Sequence, residues 1–190
     1  MKTTGFELPA RRGLFFGGEW HAPLGGHATT VNPATQESLG QVAVANGDDV
    51  DRAVQAAHKA FKTWRHVKPI ERAALLRKLA EKVRARADEF AWLDSLNCGN
   101  PIKEMARDAV IAAAQIEYYA GLVHETKGDT VPMGDGVLNY TLREPLGVVA
   151  RIVAYNHPLM FLASKLAPVV AAGNTVILKP PPGPACSRGT

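Results

Sequence analysis

Residues 147–179 constrain the fold more than any other stretch. Gly147-Val148-Val149-Ala150-Arg151-Ile152-Val153 is followed by an apolar segment from about Pro158 to Ala172, then by Gly173-Asn174 and Thr175-Val176-Ile177-Leu178-Lys179. Two short runs rich in β-branched residues flanking a segment of helical length predict one βαβ unit. Pro158 suits the first helical turn, where a missing N–H costs no hydrogen bond, and Gly173 supplies the left-handed residue that ends the helix. Both strands are near-continuous apolar runs, which predicts parallel strands buried on both faces. The fold class is therefore α/β, and a pair of such strands begins an open sheet that needs further strands and helices around it.

In open α/β sheets ligands bind beyond the carboxyl ends of the strands, where loops lead into helix N-termini. The first strand here runs into Ala154-Tyr155-Asn156 and the second into Lys179-Pro180, so a right-handed crossover places an Asn and a Lys on one edge. A carboxamide at a strand-to-helix turn is a neutral donor suited to an oxyanion. A lysine there can reach a ribose hydroxyl or a phosphate.

The rest of the chain divides by texture. Residues 14–45 predict a meander of short strands, with Leu14-Phe15-Phe16, Ala28-Thr29-Thr30-Val31 and Leu39-Gly40-Gln41-Val42-Ala43-Val44 separated by Gly17-Gly18 and Asn32-Pro33 turn chemistry. From Asp48 the period becomes helical: Asp48 or Asp49 can cap, and Val50, Val54, Ala57, Phe61 and Trp64 form a stripe. Pro69 opens a second helix with Ile70, Ala73, Leu76, Ala80 and Val83 as its buried face. A third helix starts near Asp88 and stops at Gly99, and Asn100-Pro101 opens a fourth that runs to about Thr126. Beyond Gly128, alternation over Val137–Arg143 and the turn Gly134-Asp135-Gly136 predict a hairpin.

Composition narrows the function classes. Residues 59–86 hold ten Lys and Arg against Glu71 and Glu81, but these charges fall between the apolar positions of two amphipathic helices, the pattern of a solvated face and not of a nucleic-acid surface. Pro158 to Leu178 carries Lys165 and is interrupted by Pro168 and Gly173-Asn174, which rules out an uninterrupted span of about 20 apolar residues. Arg11-Arg12 is followed by Gly17-Gly18-Glu19-Trp20-His21 where an export signal needs an apolar run, so the segment is taken as mature protein. Two cysteines, Cys98 and Cys186, make neither a disulfide framework nor a zinc motif. A cytoplasmic protein with no structural metal, no nucleic-acid partner and no membrane partner is expected.

Ala154-Tyr155-Asn156-His157-Pro158-Leu159, Gly173-Asn174-Thr175-Val176 and Lys179-Pro180 resemble the Pro-Trp-Asn-Phe-Pro-Leu, Gly-Asn-Thr and Lys-Pro-Ser-Glu signatures of the NAD(P)-dependent aldehyde dehydrogenase superfamily. Phe15-Phe16-Gly17-Gly18-Glu19-Trp20, Val31-Asn32-Pro33-Ala34-Thr35, Asp49-Val50-Asp51-Arg52-Ala53-Val54 and Arg143-Glu144-Pro145-Leu146-Gly147-Val148-Val149 resemble its N-terminal pattern in the same order. The resemblance implies a Rossmann-like cofactor sheet. It implies that Asn156 is the catalytic oxyanion donor to a thiohemiacetal, that Lys179 bonds the adenine-ribose hydroxyls, and that Ile152, Val153, Ala154 and Tyr155 line the cofactor, NAD or NADP. It also implies an aldehyde substrate, and a homodimer or homotetramer assembled through a hairpin.

Three departures from the pattern matter. Tyr155 replaces Trp, His157 stands where Phe is common, and Pro181-Pro182 replace the Ser-Glu that supplies an acidic ribose contact. The family's nucleophilic Cys and general-base Glu lie past the position matching Thr190, and neither Cys98 nor Cys186 takes their place. The expectation is thus an N-terminal segment of an enzyme that oxidises an aldehyde to a carboxylic acid, inactive alone. Residues 1–128 would be the meander and helical part of the cofactor-binding domain, 129–146 the oligomerisation hairpin, and 147–190 the incomplete first βαβ unit. The alternative is a truncated non-enzymatic module for interaction or nucleotide binding.

Overall fold

The computed structural model describes residues 5–180. Its N-terminal part is two separate antiparallel hairpins, not one meander: β1 (Leu14–Phe16) pairs with β2 (Glu19–His21), and β3 (His27–Val31) with β4 (Ser38–Ala43). The strand β2 escapes the sequence pattern because three residues, Glu-Trp-His, are too few to show alternation. Gly17 and Gly18 both take positive φ, 64° and 88°, which matches the tight two-residue connection.

Four helices follow: α1 (Gly47–Trp64), α2 (Pro69–Ala85), α3 (Ala87–Cys98) and α4 (Ile102–Gly121). The cap of α1 is Asn46 and neither of the expected aspartates. Asn46 Oδ1 accepts from the Asp49 amide at 3.0 Å while Asp49 Oδ2 accepts from the Asn46 amide at 3.2 Å, so Asp49 is the reciprocal half of a capping box. Asp49 also accepts from the Leu24 amide at 2.8 Å and thereby fixes the entry of the hairpin region onto α1. Val50 and Val54 of the expected stripe are exposed, while Phe61 is buried. Gly99, at φ 77°, ends α3 as its sequence position suggested, whereas α4 stops at Gly121, short of Thr126.

The core lies among α2, α4 and the later helix α5 (Pro158–Ala171). Leu76, Val83, Ile116 and Val123 fill it, and between them Ala73 and Ala80 of α2 meet Ala112, Ala113 and Ala120 of α4 and Ala167 and Ala171 of α5. Small side chains along this seam favour close packing of the helices. On α2 the expected Ile70 is 56% exposed and Arg72 is buried instead. Its Nε donates to the Ala171 carbonyl at 3.0 Å, which the end of α5 leaves open, and its Nη1 to the Val67 carbonyl at 2.5 Å in the connection between α1 and α2.

Residues 129–146 project as the hairpin β5 (Thr130–Pro132) and β6 (Leu138–Tyr140), exposed throughout its strands. The βαβ unit forms as the sequence predicts. The strands β7 (Val148–Ile152) and β8 (Thr175–Lys179) are parallel, with α5 as the crossover. Asn174 secures the return: its Oδ1 accepts from the Gly147 amide at 2.9 Å. Thr175 Oγ1 donates to the Ala57 carbonyl at 3.0 Å and docks the sheet on α1. Burial on both faces is not reached: Ile152 is 67% exposed and Leu178 36%. Among the described residues each strand has one paired edge, and the helices α1 and α5 that pack against the pair leave its carboxyl end open.

Candidate functional site at the carboxyl edge of the parallel strands

The register sets Ile152 opposite Lys179, and the Val153 amide donates to the Lys179 carbonyl at 3.3 Å. Both strands therefore end together, and the residues singled out from sequence converge on one edge. Val153 is buried beneath it, whereas Ile152, Ala154, Tyr155, Asn156 and Lys179 are exposed, Tyr155 at 70%. Lys179 Nζ donates only to the adjacent Pro180 carbonyl, at 3.4 Å, among the described residues. Pro181, Pro182 and Cys186 lie outside the described residues.

The turn from β7 into α5 is tied down along its length by α3, α4 and the link between them. Cys98 Sγ donates to the Tyr155 carbonyl at 3.3 Å, and Asn100 Nδ2 donates to the Asn156 carbonyl at 2.6 Å. His157 Nδ1 stands 2.6 Å from Asp108 Oδ2, and since a carboxylate oxygen accepts, Nδ1 carries the proton. The Leu159 amide, one of the free donors of the first turn of α5, donates to Asp94 Oδ2 at 3.1 Å. The Asn156 carboxamide itself takes part in no hydrogen bond among the described residues. Sequence reasoning singled out Asn156 and His157 but not Asp94, Asn100 or Asp108. The available signal was Asp108, a carboxylate set among Met105, Ala109 and Ala112 on the buried face of α4.

The electrostatics follow from this burial. Asp94 is raised from 3.8 to about 6, chiefly by burial and also by the neighbouring Asp108, against the lowering effects of the Leu159 amide and His157. Burial, with Asp94 close by, pushes the Cys98 thiol up to about 11, which keeps it protonated and makes it a poor nucleophile. Among the described residues no group of three or more His, Cys, Asp or Glu side chains is placed to hold a metal ion. No helix among them is long and apolar enough to cross a membrane.

The raised Asp94 has a sign that can be tested. The native carboxyl takes up its proton before the unfolded one, so as pH climbs from about 4 through 6 its ionisation costs the fold stability, and the full cost is present above pH 6. An amide keeps the acceptor for Leu159 without the charge. Asp94→Asn is expected to stabilise the chain at pH 8 by roughly 1–3 kcal/mol, from about two units at 1.4 kcal/mol each less what residual water recovers. The gain should vanish near pH 4. Urea midpoints of both proteins across that range check it, and a gain independent of pH refutes it.

The geometry has counterparts among known proteins. The family model for the aldehyde dehydrogenase family matches residues 20–187. Aldehyde dehydrogenase tropH of Talaromyces stipitatus is 44% identical over 178 residues, covering 92% of this chain and 35% of that protein. The structure of PnpE in complex with nicotinamide adenine dinucleotide superposes with a TM-score of 0.85 at 38% identity, over 88% of this chain and 35% of that one. An E. coli NADP-dependent enzyme superposes at 0.86 with 32% identity, over 90% of this chain and 36% of its own. The chain thus spans about a third of the length of the relatives it matches. With the same order of hairpins, helices and βαβ unit, and a match across most of its residues, the chain belongs to the aldehyde dehydrogenase family.

Proposed function

We propose that this chain supplies the oxyanion donor and the adenosine end of the cofactor site to an enzyme that oxidises an aldehyde to a carboxylic acid with NAD or NADP. The observation that carries the reading is the shared edge: Asn156 on its turn, with Lys179 in register opposite Ile152. The residues present suit the cofactor. Exposed Ile152 and Tyr155 offer an apolar surface beside a cation that makes one long hydrogen bond among the described residues. Lys179 would bond ribose hydroxyls, and residues 152–155 would line the adenosine. The cofactor, when bound, accepts the hydride that leaves the aldehyde carbon. Asn156 would donate its carboxamide N–H to the oxygen that gains negative charge when a thiolate adds to the carbonyl. The Cys98 thiol is held protonated, so this reading assigns the nucleophile and the general base to other residues.

The protruding hairpin supports assembly of like subunits as a homodimer or homotetramer. Leu138, Leu142 and Leu146 are 74%, 74% and 92% exposed, and an apolar extended pair of this kind lends itself to docking on a neighbour's sheet. A cytoplasmic location fits the use of cysteine without a disulfide framework.

The polypeptide encoded by the complete reading frame should reduce NAD+ or NADP+ when given an aldehyde, while residues 1–190 alone should show no turnover. Nicotinamide absorbance reads both. Aldehyde oxidation by residues 1–190 alone, or none by the complete polypeptide across aliphatic and aromatic aldehydes, overturns the reading. Sedimentation of the complete polypeptide with Leu138→Lys and Leu142→Lys tests the assembly, with dissociation expected.

A further inference from the structure

We propose that Asn100, Asp108 and His157 are positioning residues that lock the turn bearing Asn156, so that its carboxamide meets the substrate from an already immobile backbone. The proposal rests on the reading of Asn156 as the oxyanion donor. Asn100 grips the main-chain carbonyl of Asn156 itself, at 2.6 Å, and Asp108 fixes the ring of the very next residue, also at 2.6 Å. Both anchors lie just after the Cα of Asn156, and the Cys98 bond to the Tyr155 carbonyl lies just before it. The flanking contacts, Cys98 to the Tyr155 carbonyl and Asp94 to the Leu159 amide, continue the same one-sided attachment to α3 and α4. The turn is held from the helical side while the opposite side, with the Asn156 carboxamide, is left free for a ligand.

The energetics favour a lock over an incidental contact. Asp108 is 5% exposed, and among the described residues its hydrogen bond is to His157. A buried carboxylate deprived of that donor is left unsatisfied, so the ring and the carboxylate hold each other in place. The His157 ring also meets Phe161 edge-on at 5.8 Å, which restricts its rotation from within α5. Its backbone carbonyl accepts from the Phe161 amide at 3.0 Å, so one residue joins the first turn of the helix to the α4 carboxylate. An oxyanion donor acts only when it stands at about 2.7–3.1 Å from where charge develops, and a displacement of about 1 Å is worth about 10²-fold in rate.

Each position has a discriminating substitution. His157→Phe, which carries the residue common in the family, removes the donor, whereas His157→Asn keeps an N–H at the same bond count from Cα as Nδ1. Asn100→Ala releases the Asn156 carbonyl. In the complete polypeptide, His157→Phe and Asn100→Ala are expected to lower kcat about 10- to 100-fold with the KM for nicotinamide cofactor unchanged, and His157→Asn to retain kcat within about threefold. In an Asn156→Ala background His157→Phe should cause no further loss, because its effect passes through that carboxamide. A merely structural role would cost the same factor in both backgrounds.

In residues 1–190 alone, the Nδ1–H of His157 should give a low-field proton resonance that Asp108→Ala abolishes, and backbone relaxation at Asn156 should show added fast motion in His157→Phe. These measurements stand whether or not a variant of the complete polypeptide folds. Unchanged kcat in His157→Phe and Asn100→Ala beside an impaired Asn156→Ala overturns the positioning role alone. Unchanged kcat in Asn156→Ala overturns the oxyanion reading and the positioning role with it. Absence of the low-field proton, or unaltered dynamics in His157→Phe, refutes the lock directly.

Discussion

Asn156→Ala is expected to lower kcat for aldehyde oxidation by the complete polypeptide about 10²- to 10³-fold, with little change in the affinity for NAD+ or NADP+. The magnitude is that of a preorganised donor removed from a developing oxyanion, about 3–4 kcal/mol of transition-state stabilisation. The small effect on cofactor follows from geometry: Lys179 and the backbone of residues 152–155 stay in place, since the Asn156 contact to Asn100 runs through its main-chain carbonyl and not through its side chain. Alanine keeps that carbonyl, so the turn should remain attached, and the melting temperature should stay within about 2 °C of the parent, as for a surface truncation. Asn156→Asp replaces a donor by an acceptor that repels the oxyanion, and should be at least as impaired as the alanine variant. Asn156→Ala with kcat near the parent's shows that the oxygen is stabilised by other groups.

Ile116→Ala should destabilise the fold by about 4 kcal/mol. Ile116 is fully buried in the cluster shared by α2, α4 and α5, and many of its neighbours there are alanines. A cavity closes when long, flexible side chains swing into it, and methyl groups cannot. The loss therefore belongs at the upper end of the 2–5 kcal/mol range for truncating a buried isoleucine, because the cavity term is added to the transfer term. At roughly 2–4 °C per kcal/mol for a chain of this size, the melting temperature should drop by about 10 °C. Ile116→Val, which removes one methylene, should cost about 1 kcal/mol. Chemical denaturation measures both, and a loss below 1 kcal/mol for the alanine variant means that the helices collapse onto the vacated volume.

The parts of this molecule that could be read from sequence are those governed by local chemistry. Pro158 and Gly173 bracket α5, Gly99 ends α3, and the apolar runs of β7 and β8 give a parallel pair whose carboxyl ends carry Asn156 and Lys179. What could not be read depends on partners far away in the chain. Arg72 lies in the stripe where Ile70 was expected because a guanidinium can be buried when it finds the Ala171 and Val67 carbonyls, and no periodicity announces a carbonyl 99 residues off. The same holds for the contacts of Asp94, Asn100 and Asp108 with the turn, across 65, 56 and 49 residues. The sequence points to Asp48 or Asp49 as the cap, and Asn46 escapes it, because acidic residues are common throughout a first helical turn. The cap is decided by which side chain reaches the third amide.

The alanine seam between α2, α4 and α5 also limits how this fold can vary. At Ala73, Ala80, Ala112, Ala113, Ala120 or Ala167 a step down, to glycine, costs about 1 kcal/mol of helix propensity. A step up, to any larger apolar residue, overfills a seam that is already fully buried and costs about 1–3 kcal/mol. Both directions are uphill, so these positions are trapped in their present state, while Leu75, Val110, Ile111 and Tyr118 on the exposed faces of the same two helices are free to drift. Diversity among chains of this architecture should therefore accumulate on the outer faces, where a change of partner can be accommodated, and leave the helix spacing beneath the carboxyl edge of the parallel strands unaltered.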